Sequence, residues 1–436
     1  MNFHESEAHL LSLGNEVEAM KLGLDNIRTL LAALHEPQNN YLKVQVAGTN
    51  GKGSVCAFLD SICRSAGIKT GLYTSPHLVS ITERIKIDGQ DISEADFARH
   101  ATNVRETAET LLAAGKLGYR PTFFEQVTAI ALAAFAEAKV ELAILETGLG
   151  GRLDATTAAN AEIAAITRID IDHQEYLGET LAEIAGEKAA IIHAKSRVVI
   201  GSQKREAEQI IRGRCRELGI EPTFASTDIV TKKYDDEPTY PIRSTSFKTV
   251  SGNYPRIVLG LAGKHQEENA AVAIAIVEEL RDAGFKISDD EVCLGLEIAR
   301  HPGRLEFENG FLFDGAHNTA GARALRSYLD EFVQEPITMI FGSMKDKDLG
   351  EISDILFPKA RTLIFTQTNN SRALTAAELA EFIPVEFDRS SVFLSETVSE
   401  ALIEAERLSN GGFILITGSL YLVGEVKKIL KTRSQI

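Results

Sequence analysis

Short, almost wholly apolar runs alternate along this chain with stretches whose apolar residues recur at helical spacing. Residues 43–47, 69–73, 142–145, 163–167 and 198–200 have the density of buried strands, and helical patterns such as 55–66 lie between most of them. That alternation predicts a mostly parallel sheet with helices on both faces, an α/β fold. Between residues 224 and 261 the texture changes to Thr, Tyr, Pro and short alternating runs, which predicts a small antiparallel insert. A long helix over 267–283 follows, and His301-Pro302-Gly303-Arg304 then breaks the helical pattern as a hinge would. Beyond it the rhythm restarts, with strands expected at 311–313, 337–341, 362–365 and 413–416. Two α/β domains are therefore expected, over residues 1–300 and 301–436, with no internal repeat.

Composition narrows the function classes. The chain has 436 residues, 44% of them hydrophobic, enough for sizeable cores and against disorder. Its longest apolar runs, 129–136 and 270–277, fall short of the roughly 18–20 residues of a membrane span. The first residues lack the basic region and apolar stretch of a secretory signal, so no membrane association is expected. Cys56, Cys63, Cys215 and Cys293 form no CxxC pair, which fits a reducing cytoplasm. The net charge of −16, with Lys and Arg scattered, argues against nucleic acid. An anionic substrate would need a locally positive site.

One such site is legible. Gly48-Thr49-Asn50-Gly51-Lys52-Gly53-Ser54 lies between a strand and a helix. Small residues there let backbone N–H groups turn toward an anion, the helix N-terminus adds its dipole, and Lys52 supplies a mobile charge for phosphate. The run departs from GxxxxGK[ST], because Gly53 separates Lys52 from Ser54; a ligand-free glycine turn is the alternative. Glu146 follows the strand 142–145, at the sheet edge where sites of open α/β sheets gather, and suits Mg²⁺, or else a helix cap or ion pair. His173, in Asp170-Ile171-Asp172-His173, is placed at the same edge, as a metal ligand or a structural imidazole. Lys188 shares a helical face with Leu181, Ile184, Ala185, Ile191 and Ile192. A lysine on a buried stripe must snorkel, pair with an acid, or be altered, for instance by CO₂ to a carbamate. In the second domain Asp314-Gly315-Ala316-His317-Asn318 follows a strand directly, and Arg304 lies in the hinge, where it could clamp phosphate or stand on the surface.

Together these segments resemble the folylpolyglutamate synthase/dihydrofolate synthase family of the Mur ligase superfamily. The matching motifs include Gly48 to Ser54, Thr74-Ser75-Pro76-His77-Leu78, Glu83-Arg84-Ile85, Thr122-Phe123-Phe124-Glu125, Glu146 with Gly148-Leu149-Gly150-Gly151-Arg152-Leu153-Asp154, Asp172-His173, Glu187-Lys188-Ala189, His265-Gln266 with Asn269, Pro302-Gly303-Arg304, and Asp314 to Asn318. They span nearly the whole chain in the family's order.

The resemblance implies a P-loop-type ATP-binding domain followed by a Rossmann-like one. It implies that Gly48, Thr49, Asn50, Gly51, Lys52, Gly53 and Ser54 hold ATP, with Asn269, Arg304 and Asp314 contacting adenine, phosphate and ribose. Ser75, Glu146 and His173 would ligate Mg²⁺, and Lys188 matches a lysine often carbamylated beside a second Mg²⁺. His317 and Ser419 match positions near the incoming L-glutamate. The pteroate part, of dihydropteroate or a reduced folate, would meet Leu22, Gly23, Leu24, Asp25, Arg84, Thr122, Phe123, Phe124, Glu125, Arg152, Leu153 and Asp154. Family members often carry Glu-Arg after Leu-Gly-Leu, where this chain has Asp25-Asn26. The implied catalytic groups are Lys52, Lys188 and His317, in a cytoplasmic, monomeric ligase of the bifunctional bacterial type. A cell-wall ligase of the same superfamily would need a nucleotide-sugar-binding domain before the loop, and only 47 residues precede Gly48. A nucleotide-dependent regulatory protein would not need Glu146, His173, Lys188, Asp314 and His317 together.

Overall fold

The computed structural model describes residues 1–14, 23–225, 228–234, 242–334, 336–410 and 412–433. It divides into two compact units. The first is Met1–Val230, Thr245–Ile257 and Glu268–Ala299; the second is Thr231–Ser244, Val258–Glu267 and Arg300–Ile436.

The first unit holds strands β1 (Leu42–Ala47), β2 (Thr70–Tyr73), β3 (Ile85–Ile87), β4 (Gln90–Asp91), β5 (Leu142–Glu146), β6 (Ile163–Ile166), β7 (Arg197–Ile200) and β8 (Thr223–Phe224), in the order β4-β3-β2-β5-β1-β6-β7-β8. All neighbours run parallel except β3 and β4. The central strands are covered on both faces, so they read as near-continuous apolar runs rather than alternating ones. Ala143 and Leu145 pack with the helices Asp25–Ala33, Glu94–Ala113 and Phe123–Ala138, while the helix Lys52–Ser65 packs against the same strand with its own face, buried from Gly53 to Cys63. From β1 the chain moves to β2 on one side and later to β6 on the other. The sheet therefore switches direction at β1, the point where such sheets take ligands.

The expected insert is a three-stranded sheet, β9 (Asp228–Tyr234), β10 (Ile242–Lys248) and β11 (Asn253–Ile257), ordered β11-β10-β9, with β10 and β11 antiparallel. The second unit carries β12 (Glu306–Glu308), β13 (Phe311–Phe313), β14 (Ile337–Phe341), β15 (Ala360–Thr366), β16 (Val392–Ser395) and β17 (Phe413–Thr417), ordered β12-β13-β17-β14-β15-β16 and parallel except for β12. Phe341, Phe357 and Phe365 pack edge to face or tilted at its core, with centroids 5.0–6.3 Å apart.

Two differences from the sequence expectation have physical causes. The strands β3, β4, β8, β12 and β16 are two to four residues long and partly exposed, too short to build a pattern. The helix expected from residue 55 begins at Lys52, because Gly51 takes a left-handed conformation (φ 89°) that starts the turn early. No described helix is long and apolar enough to cross a membrane, and all four cysteines are free thiols.

Candidate nucleotide and ligation site

The loop Gly48 to Ser54, the candidate phosphate site, leaves β1 at the switch point and is braced from the residues after β6. Backbone N–H groups of Thr49 and Asn50 donate to the Arg168 carbonyl, the Thr167 hydroxyl donates to the Asn50 carbonyl, and the Thr49 hydroxyl donates to the Asp170 carbonyl. Gly48 must be glycine: a Cβ there would stand 1.8 Å from Thr167 Oγ1. Lys52 Nζ donates to the carbonyls of Gly48 (3.0 Å) and Thr49 (3.3 Å), which keeps the ammonium over the loop. Gly53 and Ser54 lie in the helix's first turn, where the positive end of the helix dipole favours an anion. Asn269, buried, lies so close to Gly51 that an added Cβ would approach its Oδ1 to 2.2 Å.

Gly51→Ala is therefore expected to combine left-handed strain with this clash. The Michaelis constant for ATP should rise about tenfold or more, since ~1.4 kcal/mol corresponds to one decade. Thermal melting run beside ATP titration checks that the loss is local; an unchanged ATP dependence would refute the packing role.

Around this loop the neighbouring strand ends bring several predicted groups together. Glu146, the last residue of β5 and only 6% exposed, accepts the Ser75 N–H at 3.1 Å, which ties the loop after β2 to the end of β5. Lys188 is 4% exposed on the helix Leu181–Ala189, as its apolar face implied. Burial, aided by the charge of Lys52, pulls its ammonium from 10.5 to about 7, against the opposing pull of Asp172, Asp154 and Glu187. His173 adopts left-handed backbone (φ 51°) at the start of a short helix, with its N–H on the Asp172 carboxylate.

The loop after Glu146 seats that helix. Arg152 N–H donates to the Glu187 carbonyl, Arg152 Nε to its carboxylate at 2.9 Å, and a Cβ on Gly151 would lie 2.6 Å from the same carbonyl. Asp154 is buried and accepts from the N–H groups of Gly148, Leu149 and Thr156 and from the Thr156 hydroxyl, so its carboxylate organises the loop from within. Burial pushes its carboxyl up, and those hydrogen bonds hold it down. Leu153 is half-buried beside it.

The helix Phe123–Ala138 is capped by Thr122, whose hydroxyl accepts the Glu125 N–H while Glu125 accepts the Thr122 N–H. Glu125 is buried, which raises its carboxyl. Phe124 packs on Gly148, where a Cβ would meet its ring at 2.6 Å. Asp25 is fully exposed in the first turn of Asp25–Ala33, whereas Asn26 is buried and donates to the Tyr119 carbonyl at 2.9 Å. Gly23 and Leu24 precede that helix, and Leu22 lies outside the described residues.

Two residues that the family resemblance placed in motifs without a role have defined partners here. His77 Nδ1 accepts from Arg84 Nε at 2.7 Å, and burial beside that guanidinium lowers the imidazolium to about 3. Glu83 accepts from the N–H groups of Leu78, Val79 and Ser80, a capping-box signal (Ser80 to Glu83) that could have been read.

In the second unit Asp314 follows β13 and accepts from the N–H groups of Leu305 and Ala316, fixing the turn that carries Arg304. Its burial raises the carboxyl and Arg304 opposes the rise. His317 Nδ1 lies 2.7 Å from the Gly315 carbonyl. Ser419, buried after β17, accepts the Leu422 N–H at the start of the helix Leu420–Arg433.

Residues 46–277 match the Mur ligase middle domain and residues 304–431 the dihydrofolate synthetase C-terminal domain. A dihydrofolate synthase/folylpolyglutamate synthase of Bacillus subtilis is 35% identical over 94% of this chain and 96% of its own length. The folylpolyglutamate synthase of Mycobacterium tuberculosis complexed with ADP superposes with a TM-score of 0.89 at 30% identity, covering 98% of both chains. E. coli FolC in complex with DHPP and ADP superposes at 0.86 with 27% identity, over 100% of this chain and 99% of that one. The chain spans about half the length of the haloarchaeal relatives it matches, which are named as folylpolyglutamate synthase/dihydropteroate synthase. Sequence, domain order and backbone agree, and the chain belongs to the dihydrofolate synthase/folylpolyglutamate synthase family of Mur-type ligases.

Proposed function

We propose that this chain is an ATP-dependent ligase that joins L-glutamate to dihydropteroate and to the γ-carboxylate of reduced folates, releasing ADP and phosphate. The observation that carries the reading is the phosphate loop at the sheet's switch point, with Glu146 and the buried Lys188 placed at the same edge. The FolC complex with DHPP and ADP supports a pteroyl substrate beside nucleotide. The same reading makes the enzyme monomeric and cytoplasmic.

A carboxylate is a poor acyl donor, because its leaving group would be oxide. Its oxygen attacks the γ-phosphorus of ATP, the bond to ADP breaks, and an acyl phosphate forms. The glutamate amine then attacks the acyl carbon, and the tetrahedral intermediate expels phosphate. Both steps gather anions, so the residues' task is positioning and charge neutralisation. The first-turn N–H groups after Gly51 and the Lys52 ammonium hold the phosphates. In the second unit, Arg304 and Asp314 are assigned by the family resemblance to nucleotide, and His317 and Ser419 to the amino acid. Arg84, Phe124, Glu125 and Arg152 face the pteroyl part.

The residues fit Mg²⁺. No described cluster of three or more His, Cys, Asp and Glu side chains forms a cage, but Mg²⁺ is commonly held by one or two protein ligands plus phosphates and water. Glu146 and Ser75, already joined at 3.1 Å, offer such oxygens, with His173 and a carbamylated Lys188 as further ligands. Bound there, Mg²⁺ would neutralise charge on the phosphoryl oxygens.

The reading is tested with purified protein, ATP and Mg²⁺. ADP release should require both a pteroyl substrate and glutamate, with a product heavier by one glutamyl residue. Nucleotide turnover without either substrate would overturn it. Glu146→Gln and His173→Ala should each lower activity roughly 10–100-fold, the range for lost metal-site partners, with partial recovery at high Mg²⁺. An unchanged Mg²⁺ dependence in both would mark them as structural.

A further inference from the structure

The parallel ladder between β6 and β7 ends with the Gly201 N–H on the Ile166 carbonyl at 2.8 Å. Beyond it the Gln203 side chain takes over. Its Nε2 donates to the Thr167 carbonyl at 2.7 Å, and its Oε1 accepts the Ile169 N–H at 3.0 Å. A strand residue facing Arg168 would make the same two bonds, since a parallel partner joins the peptide groups on either side of the residue it faces. An amide side chain has both a donor and an acceptor, so it can stand in for a peptide group there. Thr167 is 1% exposed and Ile169 fully buried, so their backbone groups need these partners.

The segment held in this way is the one that clasps the loop Gly48 to Ser54. The Arg168 carbonyl takes the N–H groups of Thr49 (3.0 Å) and Asn50 (3.2 Å), and the Thr167 hydroxyl donates to the Asn50 carbonyl at 2.7 Å. Gln203 therefore grips the backbone on both sides of the residue whose carbonyl holds the loop. Lys204 also ties the segment, through Asp170 at 2.7 Å, but its side chain is half exposed and such pairs contribute little.

We infer that Gln203 is a positioning residue for the nucleotide: its amide fixes the peptide groups flanking Arg168 and so sets the place of the loop that receives phosphate. This rests on the reading of Gly48 to Ser54 as the phosphate site. The action passes through Thr167 and Arg168, across the ends of the adjacent strands β7, β6 and β1.

Calorimetry with ADP and steady-state ligation by the whole protein test it. Gln203→Met keeps the length of the side chain and removes both hydrogen bonds. It should weaken ADP binding and raise the Michaelis constant for ATP about tenfold, the scale of buried backbone groups left unpaired. The constant for the pteroyl substrate should stay within about twofold. Gln203→Glu keeps the acceptor for Ile169 but sets a carboxylate oxygen against the Thr167 carbonyl, so it should weaken ADP at least as much. Thr49→Val removes the hydroxyl that exchanges hydrogen bonds with Asp170 in the same clasp, and it too should weaken ADP. Combined with Gln203→Met, it should lose less than the sum of the two separate effects. Melting curves accompany each variant, and if the Met variant fails to fold, the Glu variant carries the same comparisons. ADP affinity equal to the parent's in the Gln203 variants, an equal rise in the pteroyl constant, or an additive double variant would overturn the positioning role. If Gly51→Ala and Thr49→Val weaken ADP and the Gln203 variants do not, only this inference falls. If those loop variants leave ADP binding unchanged, the phosphate-site reading falls, and this inference with it.

Discussion

Lys52→Ala should stop ligation and leave the protein folded. Among the described residues the side chain belongs to no hydrophobic cluster, and its ammonium bonds to the carbonyls of Gly48 and Thr49 within its own loop. Removing it should change stability by no more than ~0.5 kcal/mol, as for substitutions away from a core. Catalysis should respond otherwise. A charge aimed at the transferring phosphoryl group is worth about 10²–10³ in rate when deleted. A second effect adds to the first: Lys52 helps depress the Lys188 ammonium, so the alanine variant should let Lys188 keep its proton to higher pH. The measurement is single-turnover ligation at saturating ATP beside a thermal melt. Near-normal turnover would remove the phosphate-loop assignment, and a collapsed melt would show Lys52 to be structural.

What could be read in advance follows from the physics of each signal. Central strands of a parallel sheet are buried on both faces, so β1, β5, β6, β14 and β17 announce themselves as apolar runs, and whatever follows them lands on one edge. That is why Gly48 to Ser54, Glu146 and Asp314 could be placed from sequence. Lys188 was legible because a cation on an apolar helical face is a contradiction that needs a chemical answer. Asp154 was harder. The family resemblance assigns it to the pteroyl part, and in the structure its carboxylate is turned inward onto four loop donors. The His77–Arg84 bond joins residues seven apart in a loop with no period, and only the folded loop brings them together. Asp25 and Asn26 exchange their expected prominence for a similar reason. The helix start fixes which of two neighbours faces the core, and it turns Asn26 inward.

Lys188 should be carbamylated in the active enzyme. The geometry denies it water, and the resulting desolvation brings its ammonium down to about 7, so near neutral pH the free amine is far more populated than for an ordinary lysine. Only the neutral amine attacks CO₂, forming an N–C bond and losing a proton to leave a carbamate anion. The sign of the pH effect follows. At fixed dissolved CO₂, occupancy should fall as pH drops through about 7 and the amine protonates. A carbamate would also reverse the electrostatics, replacing the repulsion between Lys188 and Lys52 by attraction. Lys188→Ala should lose at least ~10²-fold in activity, the scale of a lost electrostatic group in a water-poor site, and a small carboxylic acid should restore part of it by occupying the vacated space. Lys188→Arg should stay inactive, because a guanidinium keeps its charge and does not react with CO₂. The readout independent of activity is a carbamate carbon signal after exposure to ¹³C-bicarbonate, present in the parent protein and absent from both variants. Full activity of the Arg variant would show that a simple cation suffices, and an absent carbamate signal in fully active enzyme would remove the modification altogether.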